Sequence, residues 1–402
     1  TLFRRAEALV ANTRDPLIRA RVRQYVAQHL ANQGRRAQAR AALDDAEAQY
    51  YVAAPDLRTL VERAAVRPPA DAPVRAYGVR GQLFVDPRRD EGSRIGSAPT
   101  VVTPNTEWAA QGVAEIYRTR ALLALGDNQA AESQAYANKG IALLQAVGAD
   151  PGGVRWRIVR VAGLGAAAGQ NLNRASSELG GSARGLSDAL PQSQPAAKTY
   201  FESGAVRLQR GNPSAALSEF RSGAQMLRAR RNTVPSETVF PYLDALAAGS
   251  RSLSGARAVE MFDATQLIGS GVTAAFVAQA ALRMGSAHPS VKALQDQEQA
   301  LAELYQRRDI ATNAGADASV VQDIDRQVAD ATKTRDAAEQ AVRRDFPNYF
   351  QLLHGQPTAA DLLARLGAGD AFLQIGLGEK GGYGVLARDG AVTAYPVNLS
   401  LS

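Results

Sequence analysis

Four stretches of this chain repeat one plan: a helical segment, a short polar or glycine turn, then a second helical segment with alanine early. The first runs from Tyr25-Val26-Ala27 through Leu30, turns at Asn32-Gln33-Gly34, and continues through Ala39, Leu43 and Ala46. The second passes Ile116 and Leu122, turns at Gly126-Asp127-Asn128, and continues through Ala131, Ala135 and Leu143. The third carries Tyr200, Gly204 and Leu208 before Gly211-Asn212-Pro213, then Ala216, Phe220 and Met226. The fourth carries Tyr242 and Leu246, a serine-rich turn at Ser252 to Ser254, then Ala258, Phe262 and Leu267. A small residue just inside the second helix lets the paired helix approach closely, and the bulkier residue one turn on fills the groove between them. Aromatic residues make up only 6% of the chain, and the apolar residues are mostly alanine and leucine. Such a chain builds its core from helices packed on helices, so the fold class is mainly α.

Gly204, Gly211, Ala216 and Phe220 fall where the tetratricopeptide repeat, with its period of about 34 residues, places its small and aromatic positions. The pattern therefore resembles that family. The second stretch departs from it, with Thr119 in place of the glycine and Ala135 in place of the aromatic. An antiparallel helical array of no particular family satisfies the same spacings.

The organisation reads as five segments. Helical repeats occupy 1–65 and 107–288, separated by a Pro/Gly-rich insertion over 66–106. In that insertion Tyr77-Gly78-Val79 and Gln82-Leu83-Phe84-Val85 have the makings of a β-hairpin. Gly163 to Pro195, rich in Gly, Ser and Ala, is expected to be poorly ordered. Residues 289–345 read as a long antiparallel helical hairpin. Val291, Leu294, Leu301, Leu304 and Tyr305 form the apolar stripe of its first arm, and Val321, Ile324, Val328, Ala331, Ala338 and Val342 that of the second.

The last segment, 346–402, changes character. Phe346-Pro347-Asn348-Tyr349 leads to Leu352-Leu353, then Asp361-Leu362-Leu363, then an apolar strand from Gly369 to Gly376. A glycine loop over Gly378 to Gly382 separates it from a second strand, Tyr383 to Ala387. Asp389-Gly390 is a hairpin turn before a third strand, Val392 to Val397. This order resembles the opening of a CHAT domain, the caspase-like peptidase module that follows tetratricopeptide repeats in many bacterial proteins. The resemblance implies a tetratricopeptide-like solenoid of helical pairs with a long hairpin, ending in the first β-strands of an α/β caspase-like domain. It implies a cysteine peptidase whose histidine and cysteine come later than these strands. The chain contains no cysteine, and His354 stands too early to match that histidine, so no catalytic residue is assigned. The catalytic half of such a peptidase is expected to lie outside this chain.

Zero cysteines and three scattered histidines, His29, His288 and His354, leave no pattern for a metal or cofactor site. Gly376-Leu377-Gly378 with Gly381-Gly382 lacks the Gly-Lys-Ser/Thr ending of a phosphate loop. No apolar run approaches the roughly 18 residues of a membrane span. Five lysines leave 41 arginines among the 46 basic residues, against 39 acidic ones, for a net charge of +7. Arginine alternates with Asp and Glu along most segments, so nucleic acid is not the expected partner. A bacterial, exported or periplasmic location is the expectation from the missing cysteines. If the repeats align as above, Arg21, Gln24, Gln28, Asn32, Arg120, Lys198 and Gln209 lie on inner helix faces. Arginine and amide side chains suit a protein or peptide partner with carboxylates. The expected function is a protein–protein interaction scaffold that recognises a partner and positions or regulates the peptidase. The alternative is a non-catalytic structural component of a larger bacterial complex.

Overall fold

The computed structural model describes residues 2–66, 103–148, 153–229, 232–269, 288–313, 316–345, 358–379 and 381–399. Its contacts divide the chain into two compact units, 1–171 and 172–402.

The first unit is entirely helical among its described residues. It comprises α1 (Leu2–Val10), α2 (Pro16–Asn32), α3 (Arg36–Ala53), α4 (Asp56–Val66), α5 (Pro104–Gly126), α6 (Ala130–Val147) and α7 (Val154–Ala168). A capping side chain followed by proline starts α2 and α5, whereas α3 and α6 begin without a side-chain cap. Asp15 accepts from Leu17 N ahead of α2, with Pro16 in the first turn, and Thr103 accepts from Thr106 N ahead of α5, with Pro104 likewise. Proline costs nothing there, because its missing N–H has no partner within the helix. Gly148, left-handed at φ 69°, closes α6. The pairs α2–α3 and α5–α6 each form an antiparallel hairpin, and α5 packs on α2, α3 and α7 as well. Between them lies a core of small and medium side chains: Ala20, Ala27, Ala39, Leu43, Ala46, Leu57, Ala110, Val113 and Ile116. A second cluster, around Ala114, Ala137, Ile158 and Val161, joins α5, α6 and α7.

The second unit begins with α8 (Leu172–Ala189), α9 (Gln194–Gln209), α10 (Pro213–Ala229) and α11 (Ser236–Ala247), followed by β1 (Leu253–Ser254) and α12 (Gly255–Thr265). The hairpin follows as α13 (Pro289–Asn313) and α14 (Ala318–Asp345), then α15 (Ala359–Leu363), β2 (Ala371–Leu377), β3 (Gly382–Arg388) and β4 (Ala391–Val397). Phe201, Phe220 and Tyr242 meet with ring centroids 5.2–6.2 Å apart and fill the junction of α9, α10 and α11. Val291, Leu294, Ile324 and Val342 are buried in the hairpin, and Arg308, nearly enclosed there, pairs with Asp325.

The strands form one antiparallel sheet in the order β1-β4-β3-β2. Asp389 (φ 51°) and Gly390 (φ 74°) make the tight turn between β3 and β4, both in the left-handed region a two-residue hairpin requires. Val385, Ala387, Val392 and Ala394 are buried in the same core as α11 and α12. Asp263 of α12 accepts from Ala359 N, and the Tyr383 hydroxyl donates to Asp244 of α11. Helices and sheet thus share one core within this unit.

Two expectations are corrected. Gly163 to Pro195 is not poorly ordered, since it contains the end of α7 and all of α8. Its glycines mark close approaches: a Cβ on Gly165 would stand 3.0 Å from Gln134 Cγ, and one on Gly180 3.2 Å from Arg207 Nη2. Tertiary packing there outweighs weak helix propensity. The serine-rich turn at 252–254 supplies β1, whose Leu253 pairs with Ala394. β1 pairs with Thr393 and Ala394 of β4 alone, and β2 is the outer strand on the opposite side of the sheet among the described strands. The candidate hairpin at 77–85, the Phe346–Leu353 motif and His354 lie outside the described residues.

Candidate partner-binding groove

In the first unit α2 and α5 lie side by side, separated at one level by a tyrosine from the next helix. The ring of Tyr50 on α3 occupies the space where Gly112 lacks a side chain; a Cβ there would stand 2.1 Å from Tyr50 Cζ. The Tyr50 hydroxyl donates to Gln24 Oε1 at 2.8 Å, satisfying an amide that is only 5% exposed. Further along the two helices a groove of about 400 Å³ opens. Gln28, Ala31 and Asn32 of α2 form one wall, Arg36 at the start of α3 closes an end, and Arg118, Thr119, Leu122, Leu123 and Gly126 of α5 form the other wall.

The groove's electrostatics come from two shared carboxylates. Glu115 accepts a hydrogen bond from Arg118 Nε at 2.7 Å and forms an ion pair, without a hydrogen bond, with Arg157 Nη2 at 3.3 Å. Burial pushes its carboxyl upward, but Arg118 and Arg157 outweigh it and hold the group below the usual glutamate range. Asp127 is bound by both Arg36 and Arg40, and hydrogen bonds from Arg40 and Arg36 hold its carboxyl low despite the opposing effect of desolvation. The Thr119 hydroxyl donates to the Glu115 carbonyl at 2.9 Å, so it belongs to the helix rather than to the groove's free donors. Among the described residues no hydrogen bond occupies the side-chain amides of Gln28 and Asn32.

Of the seven residues singled out from sequence, the groove gathers two, Gln28 and Asn32. Two others are committed to partners within the first unit. Gln24 is buried beneath Tyr50. Arg120, with 14% of its side chain exposed, binds Asp44 at 2.6 Å and Glu47 at 2.5 Å. Arg21 is exposed, its guanidinium 5.2 Å from the centroid of Trp108, nearer the N-terminal ends of α2 and α5. Lys198 and Gln209 are exposed on α9, in the second unit. Sequence reasoning passed over Arg36, Arg118 and Leu122. Arg118 and Leu122 stand one turn apart on α5, a spacing that marks one helix face.

Among the described residues no group of His, Asp or Glu side chains is placed to hold a metal ion, and no helix is long and apolar enough to cross a membrane. No family model matches the chain, and no curated protein or solved structure matches it.

Proposed function

We propose that this chain is a protein–protein interaction scaffold built on tetratricopeptide-like helical pairs, and that the α2–α5 groove is where it recognises a partner segment. The observation that carries this reading is the contrast between polar groups. Gln24, Thr119 and Arg120 are consumed by internal partners, whereas Gln28 and Asn32 keep their amides open in a groove that Ala31, Leu122 and Leu123 also line. Recognition sites combine such apolar surface with a few unspent polar groups. The resemblance of the C-terminal strands to a CHAT domain extends the proposal: partner binding by the repeats would position or restrain a caspase-like peptidase. The shared core of α11, α12 and the sheet supports that extension, because it ties sheet to repeats. Selection of a randomised dodecapeptide library against the full chain tests the reading. Binders should be retained by the native chain and lost by the Gln28→Ala/Asn32→Ala variant; failure to obtain groove-dependent binders overturns it.

A second reading, a structural component of a larger complex, is favoured by the sheet. Leu373 and Ile375 of the outer strand β2 are 53% and 51% exposed, and an uncovered apolar edge is a site for strand addition.

A further inference from the structure

We infer that the α2–α5 groove accepts an acidic segment of a partner protein by arginine exchange, an inference that rests on the partner-recognition reading above. At the groove two carboxylates, Glu115 and Asp127, are held by four guanidiniums, so each cluster carries one positive charge more than it needs. Only one arginine of each pair, Arg118 and Arg36, lines the groove. The other two stay with the native carboxylates: Arg40 hydrogen-bonds Asp127, and Arg157 keeps a charge contact with Glu115, whose Oε1 accepts no hydrogen bond. That division matters physically, because stripping a buried carboxylate of its last cation is strongly destabilising. Arg36 can therefore turn donors toward an incoming carboxylate without orphaning Asp127, and Arg118 can offer its terminal nitrogens while its Nε stays on Glu115. Arg118 bonds Glu115 through Nε alone, and a guanidinium offers five N–H donors in a planar fork. Across the groove the open amides of Gln28 and Asn32 supply neutral donors to the same ligand.

The same charges would attract a phosphate backbone, but the lining favours a peptide. None of the groove's lining residues is aromatic, so the bases of a single strand find no ring to stack on. The groove's apolar residues, Ala31, Leu122 and Leu123, also suit the aliphatic parts of a peptide.

Fluorescence anisotropy of a fluorescein-labelled hexaglutamate peptide with the full chain tests this, with hexaglutamine and a hexathymidine oligonucleotide as comparisons. Hexaglutamate should bind saturably and weaken with added salt, and hexaglutamine should not bind. Arg36→Gln/Arg118→Gln should weaken hexaglutamate about tenfold or more, as loss of two charge-assisted contacts predicts, and Arg36→Lys/Arg118→Lys should recover part of it. Arg14→Gln/Arg19→Gln removes the same net charge from exposed positions away from the groove and should change affinity less than about twofold. Circular dichroism melts establish that each variant is folded. Equal weakening by both charge-neutralised pairs, or tighter binding of the oligonucleotide than of the peptide, overturns the inference. Library binders that need Gln28 and Asn32 yet show no enrichment in Asp or Glu also overturn it while leaving partner recognition standing.

Discussion

A Cβ on Gly204 of α9 would stand 2.7 Å from Cε1 of the Phe220 ring on α10, and Phe220 is fully enclosed. The ring can approach the backbone of the neighbouring helix this closely because no side chain projects from it there. The reverse relation holds one turn along each helix, where a Cβ on Gly223 of α10 would stand 2.8 Å from Phe201 Cδ2 and 2.9 Å from the Ala197 carbonyl oxygen. The two helices are thus locked by reciprocal glycine–phenylalanine contacts.

Alanine at either glycine gains roughly 1 kcal/mol in helix propensity but overpacks the junction by about 1–3 kcal/mol. Gly204→Ala should be net destabilising by about 1 kcal/mol. Gly223→Ala should cost more, since a backbone carbonyl cannot rotate aside. Urea denaturation of the two variants should rank them in that order, both below the native chain.

Glu115→Gln should destabilise the first unit by about 2 kcal/mol, because Arg118 and Arg157 would be left to share one neutral amide; the partial exposure of Arg157 keeps the loss below that of a fully buried pair. The pH dependence follows from the lowered carboxyl of Glu115. Its contribution is present above the unfolded value near 4.3 and is lost as pH falls through the lower folded value. The difference in urea midpoint between native chain and variant should be full at pH 7 and shrink only in strong acid.

Three tyrosines of the first unit should mark its alkaline limit. Burial pushes the phenols of Tyr50, Tyr51 and Tyr117 upward, and the charge of Glu47 adds to this for the last two, with Tyr117 reaching about 12. Tyr51 and Tyr117 both donate to Glu47, at 2.8 and 3.1 Å. Groups raised in this way stabilise the fold fully below their unfolded value near 10, and that stability drains away as pH rises through the folded values. Absorbance at 295 nm should show these phenols ionising after the exposed ones, together with loss of helical circular dichroism. Tyr50→Phe should cost about 1–2 kcal/mol at neutral pH, since it leaves the buried Gln24 oxygen unpaired.

The sheet offers a contrast between its two faces. Val385 is fully buried toward the helices, whereas Leu373 and Ile375, which alternate with Phe372 and Gln374 along β2, are open. Ile375→Lys should change stability by no more than about 0.5 kcal/mol while reducing binding of an apolar dye such as ANS. Val385→Lys buries an unpaired charge and should abolish the sheet's cooperative melting.

Much of the helical plan was legible because it rests on local chemistry. Turns at Gly34, Gly126, Gly211 and Ser252, and the alanines that follow them, are written at helical spacing, and each lies at the boundary of an observed pair. The three C-terminal strands were legible for the same reason: Asp389-Gly390 can turn without strain, and the apolar runs on either side are the right length. The groove was only half legible. Gln28 and Asn32 repeat one turn apart on α2, but nothing in the sequence tells that Gln24, a turn earlier, is spent on Tyr50, or that Arg120 belongs to Asp44 and Glu47.

Local patterns of size and turn propensity, then, were enough to mark the helical pairs around their turns and the three C-terminal strands, but not α8, which a Gly- and Ser-rich composition hid. Tertiary structure alone decided which polar side chains remain unspent, because a hydrogen bond or ion pair between residues 26 to 91 positions apart depends on how helices are brought together. It also decided that two residues of a serine-rich turn, Leu253 and Ser254, would join the sheet at β4 and leave β2 as the outer strand at the opposite edge. Strand pairing is a relation between distant backbones, and no side-chain pattern within either segment encodes the partner it will meet.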